Sequence, residues 1–187
     1  MSKLIYAMNM TLDGYVADEH GAVDLVPMNA DVFADHTELH RSIGTILYGR
    51  RLYETMAVWE TDPELAATSP AMADFSAAWK RPVKIVYSTT LTTPITDNTR
   101  IEPALDIEQV RTLKRTTAGD LMIGGPELAG QAIQAGVVDE LHLYVLPLIL
   151  GAGTLCLPSG HRTDLELMDE RRFGNGVTRL RYRCLES

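Results

Sequence analysis

With 187 residues, 45% of them hydrophobic and 22% charged, the sequence has the length and balance of one soluble globular domain; disordered, collagenous and coiled-coil chains are excluded. Its 17 basic and 25 acidic side chains give a formal charge of −8, a poor match for nonspecific contact with nucleic acid or an anionic membrane. Two cysteines, Cys156 and Cys184, lack any CxxC or zinc spacing and read as reduced thiols of a cytoplasmic protein, with no metal site expected.

The run Leu4 to Met8 predicts a first strand, and Asp13-Gly14 a turn. Residues 18–28 read as a loop containing Gly21 and Pro27. Asn29 can cap a helix running to about Ile43, with Phe33, Leu39 and Ile43 on one stripe and Gly44 as its stop. Thr45 to Tyr48 is a short buried strand, and Gly49-Arg50-Arg51 opens a helix reaching about Met56. Residues 60–70, polar and holding Pro63 and Pro70, read as a loop before a helix from Ala71 to Trp79.

Val83 to Tyr87 forms the next strand, ending in Ser88-Thr89-Thr90. A loop with Pro94 and Pro103 leads to a helix over about 106–116. Leu121 to Ile123 is a strand, Gly124-Gly125-Pro126 a tight turn, and Glu127 to Ala135 a helix closed by Gly136. Glu140 to Leu148 is a long strand; Leu165–Arg171 and Val177–Arg183 flank Gly174-Asn175-Gly176 as a hairpin. The apolar stretch from Leu141 to Leu150 is half the roughly 20 residues that span a bilayer, and the start of the chain resembles no signal peptide. Strand and helix alternate first and strands alone follow. That order predicts one α/β domain over 1–187: a mainly parallel central sheet, helices on both faces, and a C-terminal antiparallel hairpin.

In such a sheet, ligands sit beyond the C-terminal ends of the strands. Three of these ends carry phosphate-compatible chemistry. At Gly49-Arg50-Arg51, a helix start and two guanidiniums suit phosphate oxygens, although two solvated charges would look the same. Ser88 and Thr89 offer hydroxyls to a ligand or to a turn. At Gly124-Gly125-Pro126-Glu127-Leu128, paired glycines allow a diphosphate close to the backbone, and Pro126 suits a first helical turn.

These ends lie in the blocks TLDGYVA (11–17), ILYGRRLYE (46–54), KIVYSTTL (84–91), LMIGGPELAGQAI (121–133) and VDELHLYVLPLILGAGT (138–154). In this order they resemble the dihydrofolate reductase-like family, most closely the reductase domain of bifunctional riboflavin-biosynthesis deaminase-reductases and its stand-alone bacterial relatives. The resemblance implies a three-layer dihydrofolate reductase-like sandwich, NADPH as cofactor, and hydride transfer to a small pterin- or pyrimidine-like substrate. A pyrimidine reductase of the riboflavin pathway, a dihydrofolate reductase and a noncatalytic NADP-binding protein are the alternatives. The resemblance further implies that Gly49, Arg50 and Arg51 meet the 2′-phosphate and pyrophosphate. It puts Ser88 and Thr89 beside the adenine ribose, and Gly124, Gly125, Pro126, Glu127 and Leu128 around the pyrophosphate. Ala7, Val16 and Ala17 would border the nicotinamide, with Asp13 near the reacting end as candidate proton donor. It also implies a homodimer, an expectation supported by Leu141, Leu143, Val145, Leu148, Ile149 and Leu150, a strand and extension more apolar than a solvent edge normally tolerates.

Two departures bear on substrate. The helix position that carries an acid in folate reductases is matched without gaps by Phe33, flanked by Asp31 and Asp35; the lysine that follows DG in riboflavin-pathway reductases is replaced by Tyr15. His36 and His40 are four apart but lack the HExxH order and read as a polar helix edge. Arg179, Arg181 and Arg183 share one strand face and read as guards of an exposed edge. Trp59 and Trp79 read as packing residues.

Overall fold

The computed structural model describes residues 1–22 and 29–185. The predicted loop at 18–28 therefore falls largely outside the described residues. Among the described residues, strands and helices follow in the order β1 (Leu4–Thr11), β2 (Tyr15–Ala17), α1 (Ala30–Ser42), β3 (Ile43–Gly49), α2 (Arg50–Met56), α3 (Val58–Thr61), α4 (Pro63–Ala67), α5 (Pro70–Lys80), β4 (Val83–Tyr87), β5 (Thr99–Glu102), α6 (Ile107–Thr116), β6 (Asp120–Gly124), α7 (Pro126–Gln134), β7 (Glu140–Leu146), β8 (Thr154–Leu155), β9 (Leu165–Arg172) and β10 (Thr178–Cys184). One eight-stranded sheet runs β5-β4-β3-β6-β1-β7-β10-β9, and β2 pairs with β8. Along the sheet from β5 across to β7 each strand is parallel to the next; β10 is antiparallel to both β7 and β9. The expected α/β sandwich, parallel sheet and C-terminal hairpin are all present.

Each face of the sheet buries its own core, as expected for central strands covered by helices on both sides. On one face, Tyr6, Leu47, Ile85, Leu121 and Ile123 pack with Leu128, Ala132 and Val110 from α7 and α6. On the other, Ile5, Ile46, Tyr48, Val86 and Met122 meet Phe33, Phe75, Trp59 and Trp79. Both tryptophans are packing residues.

Several local expectations need correction. The segment 60–70 is helical: Asp62 caps α4 and Ser69 caps α5, each followed by proline at the first helical position, where a missing N–H loses nothing. Gly44 does not stop α1; the helix ends at Ser42, Ile43 is already extended, and Gly44 lies in β3. A Cβ on Gly44 would fall 2.0 Å from the Ala118 carbonyl oxygen, so close approach explains that glycine. β5 occupies what reads as a loop between Pro94 and Pro103. β7 lies between β1 and β10, so Leu141 and Leu143 fill the core and the strand itself supplies no argument for a partner chain; in the extension beyond it Ile149 is exposed. β10 is likewise interior and β9 is the edge, so the alternating arginines are not edge guards.

Candidate functional site

β3 and β6 end level with one another, Tyr48 opposite Gly124, and β4 ends at Tyr87 opposite Gly49. β1 does not stop with them. It pairs with β6 only as far as Tyr6 opposite Ile123, but with β7 through Thr11 opposite Leu146. Beyond Tyr6, the β6-side edge of β1 therefore has no strand partner among the described residues. Here Ala7 to Met10 become half-buried, although β1 is central and its first three residues are buried. An open strand edge thus stands beside the turn Gly124-Gly125 that ends β6, with the start of α2 one strand further on.

Both helix starts are glycines without a side-chain cap: Gly49 before α2 and Gly125 before α7. The first amide N–H groups of α2, and in α7 that of Glu127 after the N–H-less Pro126, are available to an anion. The two glycines of the turn serve different ends. A Cβ on Gly124 would lie 2.8 Å from Leu52 Cδ2 and 2.9 Å from the Tyr48 ring, so Gly124 is fixed by packing. Gly125 has φ +98°, and its nearest neighbour to a built Cβ is the Gly49 amide nitrogen at 3.7 Å. Gly125 is the position where an absent side chain leaves a cradle between the two helix starts. Pro126 occupies the first turn of α7, and Leu128 is buried against the sheet.

Arg50 holds Glu54 at 3.1 Å and is half-exposed; Arg51 is 85% exposed and 3.9 Å from Glu127. Exposed pairs of this kind contribute little, so both guanidiniums can exchange partners for phosphate. Ser88 is engaged locally: its hydroxyl oxygen accepts the amides of Thr90 (3.1 Å) and Leu91 (2.9 Å), holding a turn. Thr89 is exposed beside it.

Asp13 is a clasp. Its carboxylate accepts the Thr11 hydroxyl at 2.6 Å, the Leu150 amide at 3.1 Å and the Gly151 amide at 2.7 Å. Thr11 Oγ1 in turn accepts the Tyr15 amide. The Thr11 hydroxyl and then these backbone donors hold the Asp13 carboxyl down at about 2. A carboxylate so stabilised is an anchor for the segment after β7 and a poor proton donor at neutral pH. Val16 and Ala17 are buried in β2, where Tyr15 and Ala17 pair with β8.

Sequence reasoning missed a polar row on the α1 face of the sheet. Asn9, Tyr144, Arg179 and Arg171 lie opposite one another across β1, β7, β10 and β9. Asp35 descends from α1 onto this row. It accepts the Tyr144 hydroxyl at 2.8 Å, Arg179 at 2.6 Å and Arg171 at 3.0 Å; Arg179 also pairs with Asp169. Burial pushes the Asp35 carboxyl up, but the Tyr144 and Arg179 bonds outweigh it and the net direction is down. Phe33 faces the opposite way, edge-on to Trp59 and Phe75. The histidines are not a polar edge: His36 stacks on Tyr144, and buried His40 meets the His36 carbonyl at 2.8 Å through Nδ1.

Residues 2–179 match the RibD C-terminal domain family. The chain is 30% identical over 183 residues to the uncharacterized protein YyaP of Bacillus subtilis (strain 168), covering 96% of this chain and 94% of that one. In structure it is similar to a protein of Shewanella sp. PV-4 ascribed to riboflavin biosynthesis, at a TM-score of 0.75 and 17% identity, covering 98% of this chain and 99% of that one. It is also similar to a diaminohydroxyphosphoribosylaminopyrimidine deaminase/5-amino-6-(5-phosphoribosylamino)uracil reductase of Thermotoga maritima, at a TM-score of 0.67 and 16% identity. That match covers 98% of this chain and 57% of the larger protein. Among the described residues no helix is long and apolar enough to cross a membrane.

Proposed function

Because the chain belongs to the RibD C-terminal domain family, we propose that it is an NADPH-dependent reductase of a small pterin- or pyrimidine-like heterocycle. The observation that carries the reading is the cradle at Gly125, open beside the Gly49 amide and set between two uncapped helix starts. A diphosphate fits that chemistry: N–H donors, helix-dipole ends and the movable cations Arg50 and Arg51. Glu127, 86% exposed, can turn away. The open edge of β1 from Ala7 offers backbone donors and acceptors to an amide-bearing ring, with Val16 and Ala17 as buried packing nearby.

When bound, NADPH supplies the hydride. The chain's own part is to fix the geometry and exclude water. The Asp13 clasp joins the β1–β2 turn to residues 150–151 and so shapes the end of the cleft; with its carboxyl ionised, the proton comes from solvent. The dihydrofolate alternative is not favoured, since Asp35 is neutralised by two arginines and Phe33 bears no charge. Pairing of two chains belongs to the same reading, on the family resemblance alone, and a monomeric mass in light scattering would contradict it.

The test is NADPH oxidation at 340 nm with a panel of pterins and pyrimidine nucleotides. Turnover with one of them supports the reductase. Binding of NADPH with no oxidation by any member would instead make this a nucleotide-binding protein.

A further inference from the structure

His36 stands where α1 meets the half-buried segment of β1. Its Nε2 lies 3.1 Å from Asn9 Oδ1, and its ring stacks on Tyr144 with centroids 3.9 Å apart and planes 26° from parallel. Asn9 and Ala7 point to the same face of β1, two residues apart in the strand, so His36 lines the α1 side of the cleft just beyond Ala7. The ring is held on two sides, and the residue as a whole is part-buried.

The hydrogen bond to Asn9 fixes the tautomer. A carbonyl oxygen can only accept, so Nε2 carries the proton and Nδ1 is left with its lone pair. Nδ1 makes no hydrogen bond among the described residues. Desolvation, with His40 one turn away, holds the imidazole at about 3, so it stays neutral at physiological pH. Other charges on this face are matched: Asp35 and Asp169 take Arg179, and Asp35 takes Arg171. His36 Nδ1 is therefore an oriented, uncharged side-chain acceptor on this wall.

Resting on the reductase reading above, we propose that His36 is a specificity-determining residue whose Nδ1 accepts a hydrogen bond from a ring or exocyclic N–H of an uncharged heterocyclic substrate. Such a group selects amino- and lactam-bearing rings over rings that present only acceptors, because a lone pair facing another lone pair loses its water without replacement.

The replacements that separate recognition from packing are His36→Asn and His36→Gln. Asparagine can put an oxygen acceptor at the Nδ1 position; glutamine can keep the Nε2 donor toward Asn9 but has no Nδ1 acceptor. Calorimetry first measures NADP⁺ binding by all three proteins, then titrates 7,8-dihydropterin and 5,6-diaminouracil into each at saturating NADP⁺. We expect equal NADP⁺ affinity throughout and a wild type that binds at least one ring. His36→Gln should weaken that ring by about tenfold, while His36→Asn stays within about twofold, the size expected for one hydrogen bond. Equal ring affinity in His36→Gln and wild type, equal loss in both variants, or no ring binding by an NADP⁺-loaded wild type would each overturn the assignment. Failure of wild type to bind NADP⁺ would instead bring down the reductase reading beneath it.

Discussion

Asp13 Oδ2 accepts the Gly151 amide at 2.7 Å, joining two segments 138 residues apart in sequence. With the Leu12 amide donating to the Leu148 carbonyl at 2.8 Å, this contact ties the turn after β1 to the chain leaving β7. The carboxyl is held at about 2 against an ordinary 3.8, so its stabilisation is complete above pH 4 and lost as the pH falls toward 2.

Asp13→Asn should therefore lower the melting temperature at pH 7, with the gap from wild type closing between about pH 4 and 2. Amide exchange at Leu150 and Gly151 should quicken. A variant that keeps wild-type stability and exchange at pH 7 while turnover collapses would restore Asp13 as a group acting on the substrate.

NADPH should be preferred to NADH by at least about tenfold, since a charge-assisted bond to the 2′-phosphate contributes about 1.5–3 kcal/mol. Replacing Arg50 and Arg51 together by alanine should erase most of that preference with little change in folding. Equal affinities for the two nucleotides in wild type would remove the arginines from the site.

Dihydrofolate should be turned over at least about a hundredfold more slowly than a good substrate, because no free carboxylate stands at the α1 position that binds a pterin ring. Asp35→Ala should destabilise the fold by about 2–3 kcal/mol, as it leaves part-buried Arg179 with Asp169 alone and the Tyr144 hydroxyl without its acceptor. Brisk dihydrofolate reduction, lost in a stable Asp35→Asn protein, would show Asp35 to be that carboxylate.

Much of this was legible locally. Asn29 before α1, the apolar runs of β3, β4 and β6, and Gly-Gly-Pro before α7 each declare an element within a few residues. The Asp62-Pro63 and Ser69-Pro70 pairs carried an equally local signal for α4 and α5, hidden by the habit of reading proline as loop. β2 and β8 are too short for any period, and β5 is a polar edge strand fixed by its ladder with β4. The site divides the same way. Glycines and arginines at strand ends announce themselves, whereas the Asp35 network joins α1 to Tyr144 and Arg179 across more than a hundred residues. No local pattern distinguishes those arginines from edge guards, or His36 from a solvated histidine.

The central claim is that a dinucleotide phosphate lies in the cradle between Gly49 and Gly125, and calorimetric titration of NADPH into Gly125→Val beside wild type and Gly124→Ala tests it most directly. Valine at φ +98° carries about 1–3 kcal/mol of backbone strain, and its side chain points into the cradle. The account predicts saturable binding by wild type and none by a Gly125→Val protein that retains wild-type circular dichroism. Gly124→Ala should instead lose stability, its Cβ meeting Leu52 and Tyr48. Full NADPH affinity in folded Gly125→Val, or no binding by wild type, would contradict the account.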